Sequence, residues 1–264
     1  SIITVNLNDL EGLKRTMTSI IGQTFKEFEY IVIDGGSTDG SKEYIESHSD
    51  KIDTWVSEKD SGIYNAMNKG IKAATGEYLL FLNSGDWLHD KNVLKLVVEN
   101  LVDCDVLYGN MIKVFPDGRE HLDKGVNGEK ISLQTFVDGN LNHQATFIKK
   151  DLFEEYGLYD ENIRIVADWK FFLISLGMNN SKVKYLDIEI SCFDMTGLSS
   201  NFKSRDEERL KVLQEELPVP IYTDHLKLKK IETTLKSNRI IKFMETDNKF
   251  FSRKLNSIIL RIFS

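Results

Sequence analysis

Acidic and amide side chains gather in short segments of small residues along this chain: Asp34-Gly35-Gly36, Asp60-Ser61-Gly62 and Asn83-Ser84-Gly85-Asp86. Further on stand Asn142-His143-Gln144 and Val166-Ala167-Asp168-Trp169-Lys170. A carboxylate followed by glycines, as at Asp34, can accept hydrogen bonds from a base or a ribose, because glycine lets a ligand approach the backbone. The same residue type also stabilises its own turn. Asp86 has the character of a hard-cation ligand, since Mg²⁺ or Mn²⁺ takes one or two protein oxygens and completes its shell with substrate phosphates. Asn83 offers a neutral carbonyl oxygen beside it. The alternative is that Asp86 caps a short helix beginning at Trp87. Asp168 precedes an apolar run, so it reads either as a helix N-cap or as a general base tuned by its pocket. His143 precedes a strand, where an isolated histidine has structural readings as well as catalytic ones.

The elements around these residues decide which of them can meet. Ile2–Val5, Tyr30–Ile33, Thr54–Val56 and the most apolar run, Tyr78–Leu82, read as strands. Leu10, Leu13, Met17, Ile20 and Ile21 fall at helical spacing, and so do Ile63, Met67, Ile71 and Ala74. Ser41–Ser47 is expected to be a helix capped by Thr38 or Asp39. Val93–Leu101 reads as a helix and Val106–Tyr108 as a strand. This alternation implies parallel βαβ units flanked by helices, with Tyr78–Leu82 near the centre of the sheet. Ligands of such sheets bind where the strands end, and three of these strands end in the acid-bearing loops. Residues 111–150 read instead as mixed or antiparallel strands. Helices follow at Leu152–Tyr156 and Trp169–Leu176, with a last strand at Lys184–Phe193.

Composition narrows the classes. The 264 residues carry a net charge of −7 and are 41% hydrophobic, which suits a globular chain and argues against a general nucleic-acid binder. No apolar run reaches the ~18 residues of a membrane span. The opening SIITVNLN reads as a strand and lacks the charged region and long apolar stretch of a signal peptide. Two cysteines, Cys104 and Cys192, fit buried thiols in a reducing cytoplasm. There is no P-loop, no GxGxxG after the first strand and no GxSxG, which disfavours P-loop kinases, nicotinamide oxidoreductases and α/β-hydrolases.

Four blocks in order resemble family 2 of the inverting glycosyltransferases, which have the GT-A fold. They are Ser1–Asn8 with Leu13 through Phe25, Glu29 through Ser41, Asp60 through Tyr78, and Leu82-Asn83-Ser84-Gly85-Asp86. The likeness extends over residues 1 to about 200, in the branch that builds bacterial surface polysaccharides. It implies an α/β fold with a mostly parallel, Rossmann-like sheet flanked by helices and a helical C-terminal extension. It implies that Asp34, Asp60 and the backbone of Thr4, Val5 and Asn6 hold the nucleotide of a sugar donor, UDP first among them. Asn68 and Ser84 would lie near that donor. Asp86, with Asn83, would ligate a divalent Mg²⁺ or Mn²⁺, and Asp168 would be the catalytic base. His143, Trp169 and Gly197 would border a saccharide or lipid-linked acceptor. The NSGD loop carries one carboxylate where the family pattern has more, Ala167 stands where the pattern has Glu, and Met67 stands where many members have Arg.

The expected organisation is a catalytic domain over residues 1–217, split at 110 into nucleotide and acceptor halves, and a basic extension over 218–264 after Pro218-Val219-Pro220. Residues 225–264 hold ten Lys and Arg against three acids. Phe251, Leu255, Ile258, Ile259 and Ile262 share a helical face. Such a basic amphipathic helix suits the inner face of a plasma membrane, or packing against the catalytic domain or a second subunit. Two other functions share an acid-lined α/β nucleotide site. A nucleotidyltransferase would carry a Gly-rich basic signature where Leu7-Asn8-Asp9-Leu10 stands, and an inactive nucleotide-sugar binding protein would bind donor without releasing nucleotide.

Overall fold

The structure, a computed structural model, describes residues 1–179, 181–195 and 202–235. In chain order its elements are β1 (Ile2–Asn6), α1 (Leu10–Ile21), β2 (Tyr30–Asp34), α2 (Ser41–Ser47), β3 (Thr54–Ser57), α3 (Ile63–Ala73), β4 (Tyr78–Phe81), β5 (Trp87–Leu88), α4 (Val93–Val98), β6 (Val106–Val114), β7 (Glu120–Asp123), α5 (Leu133–Asp138), β8 (Thr146–Lys149), α6 (Asp151–Tyr156), α7 (Ala167–Phe172), β9 (Val183–Asp194), α8 (Phe202–Glu216) and α9 (Val219–Leu235). The chain divides into two compact units, Ser1–Glu208 and Arg209–Ser264.

The strands of the first unit form one sheet in the order β3-β2-β1-β4-β8-β6-β9-β5, with β7 on the flank of β6. β3, β2, β1 and β4 are parallel, so their C-terminal ends fall on one edge. Every residue of β1 and β2 is buried, as expected of parallel strands covered on both faces. Beyond β4 the pairing becomes antiparallel, β4 to β8 and β8 to β6, and only β6 with β9 is parallel again. The sheet is therefore mixed α/β, its parallel character concentrated in the first half.

Helical amphipathicity explains how the layers close. Leu13, Met17 and Ile20 of α1 are buried, while Asp9 caps the helix by accepting the Gly12 N–H at 3.1 Å. α3 lies so close to β1 that a Cβ on Gly70 would stand 2.4 Å from Cγ2 of Ile3. The residue before α2 is Gly40, at φ 96, not the expected Thr38 or Asp39. Asp39 still catches the Ser41 N–H at 3.1 Å and also the Leu10 N–H at 2.8 Å, joining α2 to α1.

Two readings around the acidic residues change. Trp87 begins a strand pairing with β9, not a helix, so Asp86 caps nothing there. Asp168 lies inside the first turn of α7, where Val166 and not Asp168 holds the N-cap position, though its carboxylate still accepts the Trp169 N–H. β6 runs unbroken through Met111, because β9 and β7 take up both its edges. α5 was not foreseen, and α9 starts at Val219, inside the Pro218-Val219-Pro220 stretch that opens the basic extension. Gly197 and the apolar stripe from Phe251 to Ile262 lie outside the described residues.

Candidate active site

At the C-terminal edge of the parallel strands, the buried amide of Asn6 ties three loops together. Its Nδ2 donates to Asp34 Oδ1 at 2.7 Å and to Ser37 Oγ at 3.1 Å, and its Oδ1 accepts from Ser84 Oγ at 2.8 Å. Asp34 also accepts the Ser37 N–H at 3.0 Å, the Ser37 hydroxyl, and the Ser57 hydroxyl at 2.6 Å. Burial raises the Asp34 carboxyl, but the hydrogen bonds from Ser37, Ser57 and Asn6 outweigh it and hold the group below the usual carboxylate range. The carbonyls of Val5 and Asn6 accept the Ser84 and Gly35 N–H groups, and Thr4 is buried, its hydroxyl receiving that of Tyr30 at 3.2 Å.

Beside this hub, Gly35 closes on Asp60, whose Oδ2 would lie 3.1 Å from an added Cβ. Asp60 is paired at 2.5 Å with Lys69 of α3, which also reaches Glu58 at 2.7 Å. Asn68, one residue earlier, turns inward. Its amide exchanges bonds with both backbone groups of Tyr159, at 2.9 and 3.1 Å, and donates to Glu161 at 2.9 Å. Asn68 thus fastens the loop after α6 to the helix that carries Lys69.

The antiparallel pairing of β8 on β4 brings the start of β8 beside the end of β4, with Leu80 opposite Phe147. His143, in the 3₁₀ turn leading into β8, thereby meets Asn83, its Nε2 3.5 Å from Asn83 Nδ2. On its other side His143 Nδ1 lies 2.9 Å from Asp168 Oδ2. Asp168 Oδ1 faces the Tyr64 hydroxyl at 2.9 Å, and that hydroxyl also reaches the Ile165 carbonyl at 2.7 Å. Burial pushes the Asp168 carboxyl up, yet the hydrogen bond and charge of His143, with Tyr64 and the Trp169 N–H, bring it below the usual range. Burial and the adjacent Asp168 push the Tyr64 hydroxyl well above its usual value.

Asp86 is enclosed beneath the same loop. Burial drives its carboxyl up to about 7, against the pull of His143, the Asp194 N–H and the Gln144 side chain. Asn83 Oδ1 is buried and has no hydrogen-bond partner among the described residues. No group of three or more His, Cys, Asp or Glu able to hold a metal occurs among the described residues. Gly85, at φ 97, leaves an opening faced by Asp9 and Arg15, and Arg15 pairs with Asp194 at 2.6 Å while lying over the Trp87 ring.

The structure thus brings Asn6, Asp34, Asp60, Asn83, Ser84, Asp86, His143 and Asp168 to one edge of the sheet. Trp169 does not join them. It is fully buried and its indole N–H donates to the Phe136 carbonyl at 2.7 Å, because the first turn of α7 points it into the core. Tyr64, Lys69 and Gln144 escaped the sequence reading as partners of the acids. Tyr64 and Lys69 lie in the same helix as Asn68, and Gln144 adjoins His143, but only the tertiary pairing shows which acid each one faces.

The sequence matches Glycosyl transferase family 2 over residues 1–157. It is 34% identical over 211 residues to the uncharacterized glycosyltransferase Rv1514c of Mycobacterium tuberculosis, covering 76% of this chain and 77% of that protein. It is 30% identical over 220 residues to a PGL/p-HBAD biosynthesis glycosyltransferase of Mycobacterium bovis, covering 81% and 83%. Among solved structures, S. aureus TarS 1–349 in complex with UDP-GlcNAc aligns with a TM-score of 0.66 at 20% identity, over 84% of this chain and 68% of that one. In the longer TarS structure the aligned part is 41% of the chain. The mannosyltransferase PcManGT of Pyrobaculum calidifontis, with GDP-Man and Mn²⁺, aligns with a TM-score of 0.59 at 15% identity, over 97% and 82%. These structures share the mixed α/β fold of GT-A glycosyltransferases. With the family match covering residues 1–157, more than half of the chain, this chain belongs to glycosyl transferase family 2.

Proposed function

We propose that this glycosyltransferase moves a sugar from a UDP-sugar to a saccharide or lipid-linked saccharide acceptor with inversion, in bacterial surface-polysaccharide assembly. The observation that carries the reading is the convergence of two carboxylate systems on one sheet edge. Asp34 and Asp60 stand with the β1, β2 and α3 loops, and Asp168 stands one histidine away from the end of β4. Donor binding is assigned to Thr4, Val5, Asn6, Asp34, Asp60, Asn68 and Ser84. Asp34 and Asn68 act chiefly by holding the loops that meet the nucleotide. TarS is described with UDP-GlcNAc, which supports UDP as the nucleotide, whereas PcManGT is described with GDP-Man.

Asp168 is the proposed base. Its depressed carboxyl is ionised at neutral pH and accepts the proton of the acceptor hydroxyl as that oxygen attacks the anomeric carbon. The attack comes from the face opposite the nucleotide, so configuration inverts. No second carboxylic acid is required, since the leaving group is a diphosphate and needs no proton. That separates the reaction from glycoside hydrolysis.

A divalent Mg²⁺ or Mn²⁺ fits the residues present in a sparse way. The unpartnered Asn83 oxygen and the strained ionisation of Asp86 are the features that a cation would satisfy. Asp86 and Asn83 would hold it, and when bound it neutralises charge growing on the leaving diphosphate. Mn²⁺ in PcManGT supports this.

The protein is proposed to work in the cytoplasm at the inner face of the membrane. No helix among the described residues is long and apolar enough to cross a membrane. α9 leaves Val219, Leu226, Leu228 and Ile231 exposed among Lys227, Lys229 and Lys230, which supports surface binding or a homodimer.

The test is a nucleotide-release screen over UDP-, GDP- and dTDP-sugars with and without Mn²⁺. Release from a UDP-sugar that stops in excess chelator and returns with Mn²⁺ is expected. Full activity in excess chelator overturns the metal assignment, and donor binding without any release points to an inactive binding protein.

A further inference from the structure

His143 touches the donor loop with one ring nitrogen and Asp168 with the other. An ionised Asp168 can only accept, so the 2.9 Å contact requires the proton on Nδ1. Nε2 faces the Asn83 side-chain amide at 3.5 Å. The second oxygen of Asp168 is engaged by Tyr64, whose single hydroxyl proton is shared between Asp168 and the Ile165 carbonyl. The Asp168 side chain is 10% exposed and that of His143 15%, so the carboxylate is held chiefly by its protein partners.

Resting on the assignment of Asp168 as base, we infer that His143, backed by Tyr64, is a positioning residue that locks the Asp168 carboxylate in its working orientation and ties it to the donor loop through Asn83. The chemical argument is one of alternatives. A buried aspartate with two rotatable bonds has other rotamers, and proton abstraction demands one of them. Tyr64 comes from α3, His143 from the turn before β8, and Asp168 from α7. Their three-way contact fixes the carboxylate relative to α3, which also carries Asn68 of the donor set. Tyr64, Tyr159 and His143 are the titratable groups packed on Asp168, and Asp86 acts on His143 from beneath. Hydrogen bonds from His143 and Tyr64 both lower the Asp168 carboxyl, so removing either lets it rise.

The experiment compares Asp168→Asn, His143→Gln, His143→Asn and Tyr64→Phe in the full chain. The readouts are kcat, the donor KM, the Kd for the nucleotide alone, and the pH profile of kcat/KM. For His143→Gln, kcat is expected to fall roughly 10- to 100-fold with the nucleotide Kd unchanged, the size of effect that misplacement produces. Tyr64→Phe should lose less. In both, the acid limb of the profile should move to higher pH. His143→Asn, whose amide nitrogen stands where Nδ1 stood, should recover much of the activity. In the Asp168→Asn background, neither second substitution should cost more. Wild-type kcat and an unmoved acid limb in both His143→Gln and Tyr64→Phe overturn the positioning role while leaving the base assignment intact. Near-normal turnover in Asp168→Asn overturns the base assignment itself. If Tyr64→Phe fails to fold, the two His143 variants decide the matter.

Discussion

Removing the Asp34 carboxylate would leave the Asn6 amide, the Ser37 N–H and the hydroxyls of Ser37 and Ser57 without their acceptor in a buried place. Asp34→Ala should therefore cost about 2–4 kcal/mol of stability in urea unfolding, in line with unpaired buried donors. It should also weaken nucleotide binding, because the three loops that Asn6 ties lose their common anchor. An unchanged unfolding midpoint would reject that bracing role. The sign of the pH dependence follows from the depressed carboxyl. Asp34 contributes its full stability above the unfolded value of about 3.9 and loses it as pH falls through the lower folded value. Wild-type stability should thus fall below about pH 4 more steeply than that of Asp34→Asn. The sequence made the acid clusters visible but not their partners. Asp34 read as either a turn residue or a ligand holder, and the structure gives it the turn partners Ser37, Ser57 and Asn6, while its contact with a donor is proposed. Asp168 read as either an N-cap or a base; Val166 holds the N-cap position of α7, and the base role is proposed. Trp169 adjoins Asp168 in sequence, yet helical geometry sends the two side chains in different directions.

At the scale of elements, α3 is the part whose placement matters most to the edge site. It carries Tyr64, Asn68 and Lys69, and it can approach β1 only because residue 70 lacks a side chain. Gly70→Ala would press a methyl group onto the stiff, branched Ile3 and lift the helix from the sheet. The expected cost is about 1–3 kcal/mol, seen as a lower melting temperature. The donor KM should rise with it, since Lys69 and Asp60 move together. A variant with unchanged melting temperature and KM would show that the contact is relieved without moving α3. The alternation of strand and helix over the first half was readable because period-2 and period-3.6 patterns differ sharply there. The second half was less readable. β6 continues past its apolar start because β9 and β7 pair with it, and α5 is too short to display a helical period. Trp87–Leu88 became a strand only through its partner Cys192–Ser191, 100 or so residues away.

For the whole molecule, the charge balance of −7 conceals an acidic body and a basic end. The proposed attachment to membranes predicts that the full chain floats with anionic vesicles and not with neutral ones, and that salt releases it. A full chain that stays in solution with anionic vesicles would reject attachment and leave the apolar residues of α9 to a homodimer. Sedimentation would then test the dimer directly.

The order of the strands has a consequence for synthesis. β1, β2, β3 and β4 are complete once residue 81 has been made, and together they form the parallel half of the sheet. The outer edge of β4 is not covered until β8 emerges, beginning at Thr146. At ordinary rates of translation the nascent chain carries an open, apolar sheet edge for several seconds, while the sequence that will shield it is still in the ribosome. The strand that leads into Asn83 and Ser84 thus presents an unpaired edge during its making. Yield in a cell should depend on whatever chaperone holds that edge until β8 arrives.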